Sequence, residues 1–73
     1  MGNLGHKVKM GFSTKRRGWI AQSLESNLYL GKSGKFDAST IEEAQTFTNN
    51  SACTMAVFAT GVDYAEIAHL YYI

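Results

Sequence analysis

The cysteine and the two histidines of this chain are its first candidates for catalysis or metal binding. Cys53 is the only cysteine, and a catalytic thiol would need a base such as His69 within hydrogen-bond reach. Cys53 lies among alanines and a methionine, however, where a free cysteine usually packs as a small hydrophobic side chain. His6, Cys53 and His69 also lack the close ligand pairs of zinc sites. We therefore expect a protein that is not an enzyme and that binds no metal or cofactor.

A short segment, Gly31-Lys32-Ser33, matches the end of the phosphate-binding pattern G-x-x-x-x-G-K-S. The first glycine of that pattern falls on Ser26, which is not a glycine. The segment also follows a predicted hairpin strand, and no helix begins directly after it. We therefore interpret it as a turn and not as a nucleotide site.

The basic residues are the strongest candidates for contact with a partner. All seven lysines and arginines precede Asp37, with Glu25 the one acid among them, so residues 1–36 carry a net charge of +6 and residues 37–73 carry −5. If the fold keeps the two halves apart, the basic half can attract an acidic protein surface or a phosphate backbone. If the halves pack together, their charges neutralise one another. The candidate partner-binding residues are Lys7, Lys9, Lys15, Arg16 and Arg17.

The elements that position these residues must fit into one domain, because the chain has 73 residues and a mass of 8.0 kDa. Residues 1–15 contain several glycines and lysines and little apolar surface, which predicts a flexible basic arm followed by a single α+β domain over residues 16–73. Val8, Met10 and Phe12 alternate with other residues, so an edge strand over residues 7–12 is the alternative.

The middle of the chain predicts a β-hairpin. Residues 18–24 have the composition of a strand, residues 25–27 are typical of a turn, and residues 28–30 resume a β-favouring composition. Trp19 in the first of these strands is the largest apolar side chain, and we expect it in the core.

Two short helices are predicted after the hairpin. Ser39 and Glu42 have the spacing of a capping box, so the first helix is expected to begin near residue 40. Ile41, Ala44 and Phe47 would form its apolar stripe. The second helix is predicted over residues 52–60 and is followed by a glycine at its C-terminal end.

The final segment, residues 62–73, mixes β-branched and aromatic residues and predicts a central strand. In a regular strand Tyr71 and Tyr72 point to opposite faces, so one of them is expected near solvent. Together these elements predict the α+β class, with a small antiparallel sheet of three to four strands and two short helices on one face, in the order β-β-α-α-β.

The sequence also predicts the cellular setting. It contains no apolar run long enough to span a membrane and no signal peptide, so we expect no membrane contact and a cytoplasmic location. A single cysteine cannot form an intramolecular disulfide, which is consistent with a reducing compartment. We expect the protein to be a monomer.

Several short segments resemble those of small bacteriophage proteins in which a hairpin leads into an E-A-x-x-F helix. They are Gly18-Trp19-Ile20, Tyr29-Leu30-Gly31, Gly34-Lys35-Phe36 and Glu43-Ala44-Gln45-Thr46-Phe47. With its small size, basic N-terminal region and lack of catalytic groups, the chain is similar to the transcription regulators that lytic phages direct against host RNA polymerase. The resemblance covers about residues 18–73 and rests on short motifs.

The resemblance implies a non-enzymatic protein in the cytoplasm of the host cell. Such a protein binds host RNA polymerase, inhibits transcription initiation and promotes antitermination. The alternative, from the residues themselves, is a small nucleic-acid-binding module that uses the same basic residues, with Phe12, Trp19 and Tyr29 as surfaces on which bases could stack.

Overall fold

In the computed structural model, residues 5–73 are described and form a five-stranded mixed sheet packed against one α-helix. The elements are β1 (Val8–Ser13), β2 (Gly18–Ser23), β3 (Tyr29–Leu30), β4 (Phe36–Ala38), a 3-10 helix at Ile41–Glu43, α1 (Asn50–Phe58), a second 3-10 helix at Tyr64–Glu66, and β5 (Ile67–Tyr72). The strand order is β4-β3-β2-β1-β5, and every neighbouring pair is antiparallel except β1 and β5, which are parallel. The α+β class is confirmed, whereas the number of strands, the number of helices and the purely antiparallel sheet differ from the prediction.

The first strand is an interior element of the sheet. β1 pairs with β2 along its whole length and with β5 on its other side, and Val8 and Met10 are 2% and 0% exposed. Their alternating apolar side chains bury enough surface to order the segment. The prediction of a flexible arm over residues 1–15 is therefore wrong for Val8–Ser13. The alternative predicted a strand here, which is confirmed, but this strand lies inside the sheet and not at its edge. Met1, Gly2, Asn3 and Leu4, which the predicted arm included, lie outside the described residues.

The helix α1 covers the centre of the sheet, where it corresponds to the second predicted helix. Asn49 caps it, because its side-chain oxygen accepts a hydrogen bond of 2.8 Å from the backbone N–H of Ala52. Cys53 and Val57, one helical turn apart, are both 0% exposed. The buried cluster beneath the helix consists of Val8, Met10, Ala21, Leu30, Cys53, Val57 and Ile67.

The first predicted helix is wrong, since only a 3-10 helix forms at Ile41–Glu43. The chain then runs extended, and Phe47 exchanges two backbone hydrogen bonds with Trp19, of 2.8 and 2.9 Å. The N–H of Gln45 also donates to the carbonyl of Leu30 at 2.8 Å. These long-range bonds give residues 44–47 the backbone partners that a helix would have supplied locally.

The last strand, β5, lies at the edge of the sheet and not at its centre as predicted, because it pairs with β1 only. Its register with β1 shifts between Met10 and Phe12, where two residues of β5 lie opposite the single Gly11. A Cβ atom on Gly11 would approach the carbonyl oxygen of Leu70 to 3.1 Å, so a glycine permits this bulge. The bulge breaks the strand alternation on which the prediction for the two tyrosines depended, and both are exposed, Tyr71 to 88% and Tyr72 to 69%.

Trp19 is partly buried and packs against the core cluster, as part of an aromatic row that crosses three strands. Its ring lies edge-on to Phe12, with centroids 6.1 Å apart, and Phe12 lies edge-on to Tyr72 at 6.4 Å. The row connects the buried core with the exposed end of β5.

Candidate functional site

The five candidate partner-binding residues do not form one patch. Lys7 precedes β1 and Lys9 is half-buried within it, whereas Lys15, Arg16 and Arg17 lie in the turn between β1 and β2. A six-residue strand is about 20 Å long, so Lys7 lies at the opposite end of the hairpin from the turn. A single partner surface would therefore meet the turn or Lys7, but not both, unless it covered the whole hairpin.

Two of these bases form ion pairs within the molecule. Lys7 Nζ lies 3.4 Å from Glu66 Oε2, and Lys15 Nζ lies 2.7 Å from Glu42 Oε2. Each pair joins the basic half of the sequence to the acidic half. Lys7 and Lys15 therefore follow the alternative prediction, in which the charges of the two halves of the sequence neutralise one another.

The ion pairs also shift the acidity of their carboxylates. The hydrogen bond from Lys15 holds the pKa of Glu42 below its usual value. The backbone N–H of Asp63, followed by Lys7, does the same for the pKa of Glu66. A lowered pKa stabilises the folded state only while the carboxylate is charged. The stabilisation is therefore present at neutral pH and is lost as the pH falls through the lowered pKa. The Lys15–Glu42 pair is exposed and the Lys7–Glu66 pair is partly exposed, so we expect the contribution of each pair to stability to be small.

Arg16 is directed into the protein. Its Nη2 donates a hydrogen bond of 3.0 Å to the carbonyl oxygen of Ala44, and its backbone N–H donates to Ser13 Oγ at 3.1 Å. Its Nε is buried and has no hydrogen-bond partner among the described residues. Arg16 therefore joins the β1–β2 turn to the extended segment after the first 3-10 helix, which leaves little of its guanidinium for a partner.

Arg17 is the exposed base at the tip of the same turn. Its φ of 57° lies in the left-handed region, which glycine and asparagine adopt far more readily than arginine. No carboxylate lies within 4.0 Å of its guanidinium in the part of the chain that the structure describes. Of the three clustered bases, Arg17 is thus the one that combines exposure, backbone strain and an unengaged charge.

The sequence reasoning missed most of an exposed apolar surface around β5, although it did expect one exposed tyrosine there. We call the following residues the β5 surface: Met55, Tyr64, His69, Leu70, Tyr71 and Tyr72. The rings of Tyr64 and His69 lie against each other, with centroids 4.8 Å apart and planes tilted by 35°. A shallow groove of about 350 Å³ runs beside the strand and is lined by Trp19, Asn50, His69, Leu70 and Tyr71. One feature of the sequence could have indicated this surface, namely that no lysine, arginine, aspartate or glutamate follows Glu66.

The thiol of Cys53 is not positioned for chemistry. It is 0% exposed, and burial raises its pKa to about 12. His69, its proposed base, is exposed on β5. Within residues 5–73 no three side chains of histidine, cysteine, aspartate or glutamate are arranged to hold a metal ion.

We expect Cys53 to react very slowly with a thiol reagent such as iodoacetamide while the protein is folded. A rise in pKa from 9.0 to about 12 lowers the thiolate fraction near neutral pH about a thousandfold, and burial blocks access as well. Mass spectrometry after timed labelling, with and without guanidinium chloride, measures the effect. The unfolded protein is the control and should label quickly. Rapid labelling of the folded protein would contradict the buried position and restore Cys53 as a candidate nucleophile.

Comparison with protein-family models, with curated proteins and with solved structures gave no match. In the described residues, no helix has the length and apolar character needed to cross a membrane.

Proposed function

We propose that this protein is a non-enzymatic regulator that binds RNA polymerase through the turn between β1 and β2. In the manner of the phage regulators that it resembles, it inhibits transcription initiation and promotes antitermination in the cytoplasm of the host. The observation that supports the proposal is that Arg17 is exposed, has a strained backbone and makes no ion pair in the described residues.

Arg17 occupies a backbone conformation that disfavours its own residue type. The left-handed region costs a residue with a Cβ atom about 1 to 2 kcal/mol, a cost that glycine avoids. The Arg17 guanidinium makes no ion pair in the described residues that would offset this cost. Strain held at an exposed position with an unengaged polar group is typical of a binding residue.

Other bases favour an acidic partner surface at the same end of the sheet. Successive antiparallel strands place the β1–β2 turn and the β3–β4 turn at one end, and the second turn contributes Lys32 and Lys35, both exposed. Lys15 is exposed too, although it pairs with Glu42. Three acids, Asp37, Glu42 and Glu43, line one pocket with Lys32 at this end, where the five bases of the two turns outnumber them. Clustered exposed bases of this kind increase the association rate with an acidic surface, mainly at low salt.

Replacing Arg17 with glycine is expected to stabilise the fold and to weaken polymerase binding. Removing the Cβ atom at positive φ should raise the free energy of unfolding by about 0.5 to 1 kcal/mol. Loss of the guanidinium should reduce the affinity for purified bacterial RNA polymerase about tenfold at low salt. Urea denaturation measures the first effect, and biolayer interferometry with core enzyme and holoenzyme measures the second.

Asn27→Gly is the matched control, because Asn27 also has a positive φ, of 64°, but lies in the turn at the opposite end of β2. It should leave the affinity unchanged. An Arg17→Gly variant that is folded and binds polymerase as tightly as the parent would show that the turn is not the contact site. Transcription assays on a promoter and on a terminator template then test inhibition and antitermination directly.

Nucleic-acid binding is the competing outcome of the same experiment. Single-stranded and double-stranded oligonucleotides are titrated in parallel at two salt concentrations. Binding at micromolar protein with a steep salt dependence and no need for polymerase would favour the nucleic-acid-binding module and overturn the proposal.

A further inference from the structure

We infer that Glu42 competes with an acidic partner for Lys15 and so weakens binding at the turn between β1 and β2. Because this is regulation of the same site, it rests on the proposed function. Two observations support it: the geometry of one exposed ion pair, and the contact that holds the acidic 3-10 helix beside the turn.

The ion pair between Lys15 and Glu42 joins two segments that are distant in sequence. Lys15 lies in the β1–β2 turn, and Glu42 lies in the 3-10 helix Ile41–Glu43. Lys15 Nζ and Glu42 Oε2 are 2.7 Å apart, which is the distance of a charge-assisted hydrogen bond. The two side chains are nevertheless 66% and 58% exposed. A partner can therefore reach the same ammonium group that Glu42 holds.

The 3-10 helix is held beside the turn by a second contact. Arg16 Nη2 donates a hydrogen bond of 3.0 Å to the carbonyl oxygen of Ala44, the residue that follows this helix. Ala44 is 0% exposed, and its backbone N–H donates to the carbonyl oxygen of Ile41 at 3.1 Å. Because these contacts already fix the backbone, only the side chains of the pair lose freedom when they meet. Glu42 therefore presents its carboxylate to Lys15 at a high effective concentration.

An acidic surface that approaches Lys15 meets two obstacles. It must displace Glu42 or share the ammonium group with it, and the charge of Glu42 repels a second carboxylate nearby. Exposed ion pairs are weak, so the combined effect on affinity is limited to about two- to fivefold. The pair thus reduces binding without preventing it, while Arg17, which makes no ion pair in the described residues, keeps its charge for the partner.

The experiment compares two substitutions that change the net charge equally. Glu42→Gln should increase the affinity for purified bacterial RNA polymerase about two- to fivefold at low salt, because it removes the competitor of the partner. Glu43→Gln is the matched control, since Glu43 is the next residue of the same 3-10 helix and is also exposed. Glu43 accepts a hydrogen bond of 3.3 Å from Ser39 Oγ and makes no ion pair in residues 5–73. Its substitution should change the affinity by less than about 1.5-fold.

A variant at Lys15 completes the test as a double-mutant cycle. In the Lys15→Gln background, Glu42→Gln should increase the affinity by no more than Glu43→Gln does, because the group for which Glu42 competes is gone. Circular dichroism confirms that every variant is folded. A gain from Glu42→Gln that persists in full without Lys15 would show that general repulsion, and not competition for Lys15, limits binding.

Poly-glutamate is a second probe, because it supplies carboxylates without polymerase. The same order of affinities is expected for it. If the parent binds polymerase but Glu42→Gln and Glu43→Gln give equal affinities, competition by Glu42 is wrong and the proposed function stands. If neither the parent nor any variant binds polymerase, the proposed function is wrong, and the titrations with poly-glutamate decide the role of Glu42. Absence of binding to both probes would overturn both.

Discussion

Replacing Met10 with alanine is expected to lower the free energy of unfolding by about 2 to 5 kcal/mol, the range for removing a large buried side chain. Met10 is 0% exposed in the interior strand β1, and its sulfur lies 3.5 Å from Thr54 Oγ1 of α1. The side chain therefore sits between the sheet and the helix that covers it. Small domains have a total stability of roughly 5 kcal/mol or little more, so the substitution should remove a large share of the stability, and a loss at the upper end of the range would leave about half of the variant unfolded near room temperature. Urea denaturation followed by circular dichroism measures the change.

Met55→Ala is the matched control for that substitution. It removes the same atoms from a methionine that is 65% exposed on α1, and its cost should stay within about 0.5 kcal/mol. Equal, small effects of the two substitutions would mean that β1 does not belong to the core and that residues 1–15 behave as an arm after all.

The second large effect is expected from Arg16→Glu, which should cost about 2 to 4 kcal/mol of folding free energy. The substitution removes the charge-assisted hydrogen bond from the guanidinium to the Ala44 carbonyl. It also places a carboxylate beside that carbonyl oxygen, in a site where the Arg16 Nε is buried. Both changes leave polar groups without partners, which explains the size of the effect.

Arg17→Glu tests the same charge reversal one residue later. Because Arg17 is exposed and makes no ion pair in the described region, its reversal should change the stability by no more than about 0.5 kcal/mol. Thermal and urea denaturation of the two variants give the comparison. If both variants were equally stable, the Arg16 contact with Ala44 would contribute nothing to the fold.

The different roles of these bases also decide which variants are suitable for binding experiments. Reversing the charges of Lys15, Arg16 and Arg17 together would not distinguish loss of folding from loss of binding, so the single Arg17 variants are the better probes.

Contacts between neighbours in sequence explain the parts of the fold that could be predicted. The β2–β3 hairpin depends on a local turn, and α1 depends on Asn49 as its N-cap, on Cys53 and Val57 one turn apart, and on a glycine after its C-terminal end. The candidate bases could likewise be named from their types. Their roles could not be predicted, because Arg16 and Arg17 are adjacent residues of the same type. Only the hydrogen bond from Arg16 to the carbonyl of Ala44 distinguishes them.

The sequence by itself determined the α+β class, the central hairpin, the main helix and the location of the basic residues. Only the tertiary structure decided that Val8–Ser13 is an interior strand, that residues 44–47 are extended, and that β5 is an exposed edge with a bulge. In each of these cases the local preferences were balanced, since the same residues fit an arm or a strand, a helix or an extended segment. Hydrogen bonds and burial between residues far apart in sequence, such as those joining Phe47 to Trp19, supplied the free energy that selected one state.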